Sequence, residues 1–171
     1  MGGHGTSYYS GMPQILNEYV ANNTHEGENT VMYLQTARYI LKGYRGFVTK
    51  GKKLPYSLQY MAKLQELQEK KWSGNDGWSI EELRDVVARG IGHIVQQIGQ
   101  RMIAKQPGET EASIINYEVG IKLQQMAQLH GVHFIIQEFN LALQKEKEES
   151  IKPLLTELCK LFAIGQIQRL A

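Results

Sequence analysis

Hydrophobic residues along most of the chain recur at intervals of three and four positions, which is the spacing that places them on one face of an α-helix. The first such stripe follows Glu28 and consists of Val31, Leu34, Ala37, Ile40 and Leu41. It predicts a helix that begins near Glu28 and ends near Gly43, because glycine commonly follows the last residue of a helix.

The same spacing predicts two further helices in the middle of the chain. A connector over residues 44–53, rich in glycine and basic residues, precedes a short helix whose stripe is Leu58, Met61, Leu64 and Leu67. Ser79 is followed three residues later by Glu82, which is the capping-box pattern at a helix N-terminus. We therefore expect a third helix from Ile80 to about Lys105.

The last third of the chain predicts one long helix, from Thr110 to about Lys147, and a final helix from Ile151 to Leu170. The inner face of the long helix is expected to carry Ile114, Ile115, Val119, Leu123, Met126, Val132, Ile135, Ile136, Phe139 and Leu143. The inner face of the final helix is expected to carry Leu154, Leu158, Leu161, Phe162 and Ile164. No stretch alternates with a period of two, so the predicted class is all-α, a helical bundle.

The first 27 residues differ in composition from everything that follows. They contain several glycines and asparagines together with Pro13, which are residues typical of turns. We therefore expect a loop-rich N-terminal segment over 1–27, followed by helices over 28–171. A chain of 171 residues falls within the usual size of one domain, so we expect a single all-helical domain over 1–171.

Charge and composition argue against several classes of partner. The formal net charge is +2, and the basic residues are interspersed with nearly as many acidic ones, so no nucleic-acid surface is indicated. No apolar run approaches the ~20 residues that span a bilayer, so we expect a soluble protein without a membrane partner. The single cysteine, Cys159, excludes a disulfide within the chain.

Motifs that carry hydrolytic or metal chemistry are missing from the sequence. There is no phosphate-binding P-loop, no Gly-x-Ser-x-Gly elbow and no Cys/His spacing typical of a metal site. His130 and His133 are three residues apart and could share a helix face, but two imidazoles without a third ligand are weak support for a metal. We interpret them as core or surface histidines and predict no metal site.

Two short segments could contribute to a site, and each also has a structural explanation. The glycines of Gly2-Gly3-His4-Gly5 could form a turn, or could let backbone N–H groups approach a phosphate closely. In the second segment, Glu26-Gly27-Glu28-Asn29, the carboxylate of Glu26 could pair with Asn23 to cap the following helix. Neither segment alone distinguishes these alternatives.

Taken in order, however, these segments resemble one block of the acyl-CoA oxidase family. The block consists of Gly2-Gly3-His4-Gly5, Ser10-Gly11-Met12-Pro13, the run from Glu26 to Met32, and Leu34-Gln35-Thr36-Ala37-Arg38. The resemblance is strongest over residues 2–42 and continues as collinear helices beyond them. It departs from the family at Thr6, where tyrosine is usual.

The resemblance implies the fold of the C-terminal helical region of an acyl-CoA oxidase, with Glu26 as the catalytic base. It places Gly2, Gly3, Gly5, Glu28 and Asn29 near an FAD cofactor. The implied reaction desaturates a fatty acyl-CoA to a trans-2-enoyl-CoA, and molecular oxygen then reoxidises the flavin and yields hydrogen peroxide. By the same resemblance, the full-length enzyme is a peroxisomal homodimer.

Domains that hold much of the flavin in this family precede the region that the chain resembles, so we expect a fragment of a longer oxidase that is inactive alone. Two alternatives remain open from the residues. One is a fragment of an acyl-CoA dehydrogenase, which uses the same base but passes electrons to another flavoprotein. Glu28-Asn29 after Glu26-Gly27 favours the oxidase. The other alternative is a helical interaction module without catalytic activity.

Overall fold

A computed structural model describes residues 2–21, 28–70 and 78–170 of the chain. Within these ranges the ordered elements are helices and no β-strand occurs, so the predicted all-α class is confirmed.

The N-terminal part contains α1 (Gly2–Thr6), a 3-10 turn (Tyr8–Ser10), α2 (Met12–Val20) and α3 (Asn29–Lys50). A 3-10 segment (Tyr56–Lys63) then runs directly into α4 (Leu64–Glu69). The C-terminal part contains α5 (Ile80–Ile103), α6 (Glu111–Tyr117), α7 (Gly120–Lys145) and α8 (Lys152–Leu170). The single domain expected over 1–171 divides into two compact units, Met1–Met32 and Tyr33–Ala171.

The expectation of a loop-rich segment over 1–27 needs correction, because α1 and α2 are helical. Gly11 precedes α2 with a φ of 71°, a conformation that glycine adopts at little cost. Pro13 lies in the first turn of α2, where its missing N–H has no intrahelical partner to lose. Gly11 and Pro13 therefore mark the start of α2, whereas Gly2, Gly3 and Gly5 lie within α1. The helix α2 carries an apolar stripe with helical spacing: Met12, Ile15, Leu16, Tyr19 and Val20.

The core of the second unit forms where α5 and α7 pack along each other. The helices α4 and α8 both pack on α5, and α8 also packs on α7. Fully buried side chains of α5 and α7 fill the interior together with residues of α3, the 3-10 segment and α6: Ile40, Leu58, Met61, Ile91, Ile114, Leu123, Met126 and Ile136. The stripe predicted for the second helix is confirmed, since Leu58, Met61, Leu64 and Leu67 are all buried.

The helix predicted to end near Gly43 continues to Lys50. Gly43 lies inside α3 at a point where Leu58 Cδ1 is 2.5 Å from the position that a Cβ would occupy. This glycine therefore permits the close approach of the 3-10 segment and does not end the helix. Gly51 follows the last residue of α3 with a φ of 59°, and its N–H donates to the carbonyl of Phe47 at 3.0 Å.

The single helix predicted from Thr110 to Lys147 is two helices. The N–H groups of Glu118 and Val119 both donate to the carbonyl of Ile114, at 3.0 and 3.1 Å, and this ends α6. The break lets Val119 turn inward, where it is 4% exposed, before α7 begins at Gly120. A periodicity of three and four residues continues through the break, which is why the sequence suggested one helix.

Arg101, near the end of α5, fixes the connection to this break. Its Nε donates to Glu118 Oε2 at 2.6 Å, and its Nη2 donates to Glu118 Oε1 at 2.8 Å. Nη2 also donates to Glu109 Oε1 at 2.7 Å. The bidentate pairing matches the fork of the guanidinium to the carboxylate, which adds geometric specificity to the ion pair. One side chain therefore holds both the α5–α6 connection and the α6–α7 break.

The predicted inner face of α8 is wrong for most of its residues. Leu154 and Leu161 are 63% and 67% exposed, and Leu158 and Ile164 are exposed as well. The core is instead contacted by a neighbouring face, formed by Leu155, Cys159, Phe162 and Ala163. Because α8 has apolar residues on both faces, spacing alone could not select the inner one. On α7, Ile135 was likewise expected inside and is 49% exposed.

The adjacent leucines of α8 give a direct test of its orientation. We expect Leu154→Ala to change the free energy of unfolding by less than about 0.5 kcal/mol, as is usual for surface substitutions. The matched variant Leu155→Ala should lower it by about 1–3 kcal/mol, because Leu155 packs against the core. Urea denaturation of both variants measures the difference, and an equal loss in the two would contradict this orientation.

His130 and His133 lie in the core on one face of α7, against Tyr60. The Tyr60 hydroxyl is 3.1 Å from His130 Nδ1, and the ring centroids of Tyr60 and His133 are 4.1 Å apart. His133 is 1% exposed, and its Nδ1 has no hydrogen-bond partner among the described residues. Burial, reinforced by the positive charges of Arg84 and of protonated His130, lowers the pKa of His133 to about 3. Burial also lowers the pKa of His130.

This cluster should make the fold sensitive to acid. The pKa of His133 lies below the ordinary value of 6.5, so the unfolded chain takes up a proton first as the pH falls. Stability contributed by neutral His133 is therefore present above pH 6.5 and is lost as the pH falls towards 3. We expect a loss of about 2–3 kcal/mol between neutral pH and about pH 4.5, measured by urea denaturation.

The variant His133→Leu should remove most of this acid sensitivity. The matched control is His93→Leu, since His93 lies on the exposed side of α5. It should keep the acid sensitivity of the unmodified chain. If the His133 variant and the unmodified chain lost stability in parallel, the buried imidazole would not be the cause.

Candidate functional site

Glu26, the predicted catalytic base, lies with Gly27 in residues 22–27, outside the described part of the chain. Its assignment therefore stays a prediction. The described residues nearest to it in sequence belong to the start of α3, on its C-terminal side, and to α2, on its N-terminal side.

Glu28 forms the N-terminal cap of α3. Its Oε2 accepts the N–H of Val31 at 3.1 Å, and its backbone carbonyl accepts the N–H of Met32 at 3.2 Å. Hydrogen bonds from the backbone and the hydroxyl of Thr30, and then from the backbone of Val31, lower the pKa of Glu28. The negative charge of Glu28 also interacts favourably with the positive end of the helix dipole. Glu28 thus anchors the helix that begins three residues after Glu26.

Asn29 is the first residue of α3, and its side chain is exposed, as is that of Glu28. The structure therefore gives Glu28 a capping role that the sequence had suggested for Glu26. An exposed capping carboxylate remains open to solvent or to a further molecule on its outer side. The prediction that Glu28 and Asn29 lie near a flavin stays a prediction.

The glycines of the first segment belong to α1. Gly2 has a φ of 57°, in the left-handed region that favours glycine, and the hydroxyl of Thr6 donates to the carbonyl of Gly3 at 2.9 Å. No atom lies within 4 Å of the position that a Cβ would occupy at Gly2 or Gly3. The backbone here is open to the approach of another molecule. The sequence had suggested a turn for these glycines, and the structure has a five-residue helix there.

Gly2, Gly3 and Gly5 do not form an enclosed cofactor cradle. Gly2 and Gly3 are exposed and Gly5 is half-buried. A helix of five residues is too short to act as an anion-binding N-terminus. Along the chain, α2 and residues 22–27 lie between these glycines and the pair Glu28 and Asn29. The described residues show no flavin site by themselves. The assignment of Gly2, Gly3 and Gly5 to a cofactor stays a prediction.

A cleft that was not predicted lies in the second unit, where the start of α5 meets the end of α7 and the start of α8. Its volume is about 410 Å³, and it is lined by Trp78, Ser79, Ile80, Glu81, Asn140, Leu143, Gln144, Lys152, Thr156 and Lys160. The sequence held one signal, since Lys152, Thr156 and Lys160 recur every four residues on a helix. Nothing in the sequence indicated which helices they would face.

The described residues form neither a metal-binding cluster nor a membrane-spanning helix. No group of three or more His, Cys, Asp or Glu side chains there is arranged to hold a metal ion. None of the described helices has the length and apolar character that crossing a membrane requires.

Two family models match the chain. One, described as "Acyl-CoA oxidase, C-alpha1 domain", matches residues 1–41, which include the two segments singled out from the sequence. The other, described as "Acyl-CoA oxidase", matches residues 79–171, more than half of the chain. The matched regions include α1, α2, the start of α3 and the helices from α5 to α8.

Curated relatives and a solved structure match almost the whole chain. The similarity is 32% identity to peroxisomal acyl-coenzyme A oxidase 2 of Oryctolagus cuniculus, over 97% of this chain and 25% of the relative. It is 28% to peroxisomal acyl-coenzyme A oxidase 1 of Homo sapiens, over 98% of this chain and 26% of the relative. The crystal structure of acyl-CoA oxidase 3 from Yarrowia lipolytica superposes with a TM-score of 0.76 at 26% identity, over 98% of this chain and 24% of that one.

The chain thus spans about a quarter of the length of the relatives that it matches. The match is collinear from the glycine segment to the last helix, as the sequence motifs suggested. On the family models and the fold together, this chain belongs to the acyl-CoA oxidase family.

Proposed function

We propose that this chain is the helical region of an FAD-dependent acyl-CoA oxidase and that Glu26 is the catalytic base of that enzyme. The observation that carries the proposal is the family match over residues 1–41, which spans Glu26 together with Gly2, Gly3, Gly5, Glu28 and Asn29. In the proposed reaction a fatty acyl-CoA becomes a trans-2-enoyl-CoA, and molecular oxygen becomes hydrogen peroxide. The flavin, when bound, supplies the hydride acceptor.

Glu26 would remove the α-proton of the thioester substrate. A carboxylate can take so weakly acidic a proton only if its own pKa is raised by desolvation and the developing enolate is stabilised by nearby donors. The neighbouring Glu28 supports this division of roles, because its carboxylate already accepts the N–H groups at the start of α3. Glu28 would therefore hold the segment in place and leave Glu26 to the proton transfer.

Catalysis would require parts of the protein beyond this region. The chain spans about a quarter of its relatives, and its described glycines form no enclosed cradle. We therefore propose that the remainder of the enzyme holds most of the flavin, that the complete enzyme is a homodimer and that it acts in the peroxisome. The relatives named above are acyl-coenzyme A oxidases, which supports an oxidase over a dehydrogenase.

The first test complements the chain with the part that it lacks. We expect hydrogen peroxide from a long-chain acyl-CoA when the chain is co-expressed with the preceding part of the Yarrowia lipolytica oxidase. Glu26→Gln should lower the rate about 10²–10⁴-fold, because it removes a general base, and should leave the helical circular dichroism unchanged. The matched control is Glu18→Gln, since Glu18 is an exposed carboxylate on α2.

Full activity of the Glu26→Gln assembly would refute the role of Glu26. If the unmodified assembly formed well and produced no peroxide, a helical interaction module would be the better description. An assembly that desaturates the substrate only with an artificial electron acceptor would indicate a dehydrogenase.

The second test concerns the flavin. We expect the purified chain alone to leave the visible absorbance of added FAD unchanged, with or without a long-chain acyl-CoA. The reason is that Gly2 and Gly3 have no neighbouring atoms that would enclose a cofactor. The complemented assembly should perturb the flavin spectrum and bleach it when substrate is added. Stoichiometric FAD binding by the isolated chain would show that the remainder is not needed to hold the cofactor.

A further inference from the structure

The cleft between α5, α7 and α8 has an apolar floor and a basic side. Ile80 and Leu143 lie in its lining and are 5% and 8% exposed, so they form part of the core beneath it. Trp78 lies at its edge and is 37% exposed. Small-molecule sites in proteins typically combine such an apolar lining with a few polar groups that fix orientation.

The basic side is one face of α8. Lys152, Thr156 and Lys160 all line the cleft and follow each other at intervals of one helical turn. Eight residues separate the two lysines, which corresponds to about 12 Å along a helix that rises 1.5 Å per residue. Their side chains are only 29% and 25% exposed, so much of each aliphatic stem is packed against the protein. The cleft therefore has two cationic positions with a gap between them.

Each lysine forms an ion pair with an exposed glutamate three residues before it in the sequence. Lys152 Nζ is 2.6 Å from Glu149 Oε1, and Lys160 Nζ is 2.9 Å from Glu157 Oε1. The two glutamate side chains are 80% and 69% exposed, and ion pairs of this kind contribute little to stability. An anion that enters the cleft can therefore compete for the lysines at low cost.

The opposite side of the cleft carries a negative charge. Asn140 Nδ2 donates to Glu81 Oε1 at 2.7 Å, which holds the Glu81 carboxylate between α7 and the first turn of α5. This carboxylate repels an anionic group that lies towards α5. The charged groups of a ligand should consequently lie along α8, with the uncharged part of the molecule over the apolar floor.

We propose that this cleft binds an elongated molecule with an anionic group at each end and an apolar middle, of the α,ω-dicarboxylate class. One carboxylate contacts Lys152, the other contacts Lys160, and the chain between them covers Ile80 and Leu143. The site uses none of the residues assigned to the acyl-CoA chemistry proposed above.

The test uses the tryptophan at the edge of the cleft as a reporter. The chain contains two tryptophans, so Trp72→Phe leaves Trp78 as the only indole. Dodecanedioate is the probe, dodecanoate is the matched monoanion, and succinate is a dianion too short to reach both lysines. Titration followed by Trp78 fluorescence and by isothermal calorimetry should show saturable binding of dodecanedioate, with weaker binding of the other two.

Variants of the lysines complete the test. Lys152→Met and Lys160→Met should each weaken the binding of dodecanedioate about tenfold or more, as expected for the loss of a charge-assisted contact. Lys122→Met is the control, because Lys122 is an exposed residue of α7 that does not line the cleft. The proposal is overturned if dodecanedioate does not bind, if dodecanoate or succinate binds as tightly, or if the three lysine variants weaken binding equally.

Discussion

The packing of α5 along α7 is the interaction on which the second unit of this protein depends. Each helix supplies a nearly continuous buried face, with Ile91 and Ile98 on α5 and Leu123, Met126 and Ile136 on α7 all at most 2% exposed. Isolated helices are marginal in water, so their stability here comes from the burial of these faces. The smaller elements, α4 and the 3-10 segment, complete the same core and have no buried core of their own.

The position of α8 follows from this pair and from the reversal that ends α7. Glu146 Oε1 accepts the N–H groups of Lys147 and Glu148, at 2.7 and 2.9 Å, and so turns the backbone out of the helix. The chain then returns along both α5 and α7, with Cys159 and Ala163 at most 1% exposed. Because α8 starts where α7 ends, its first two turns face the beginning of α5. The cleft is therefore a consequence of the helix order, and its basic side is set by the spacing of lysines on α8.

The sequence predicted those features in which a local pattern and the tertiary structure agree. The Ser79 and Glu82 capping box forms as expected, with Glu82 N–H donating to Ser79 Oγ at 3.1 Å and Ser79 N–H donating to Glu82 Oε2 at 2.8 Å. Two predictions failed because the deciding contact is distant in sequence. Gly43 was assigned to a helix end because its partner, Leu58, is 15 residues away and could not be identified from spacing. The inner face of α8 was ambiguous for the same reason, since its apolar residues fit either side until α5 and α7 are placed.

The two units differ in how much of their sequence is explained by burial. In the second unit, burial of a core accounts for the helical spacing of the apolar residues, so that spacing says little about chemistry. In the first unit, α1 and α2 have no buried residues, and glycines occupy positions where the backbone is open. A stable isolated domain would have little need for such a segment, because exposed glycines increase the entropy lost on folding. These exposed glycines precede Glu26 and Glu28 in the sequence and are consistent with a surface that another molecule completes, as the active site proposed above would require.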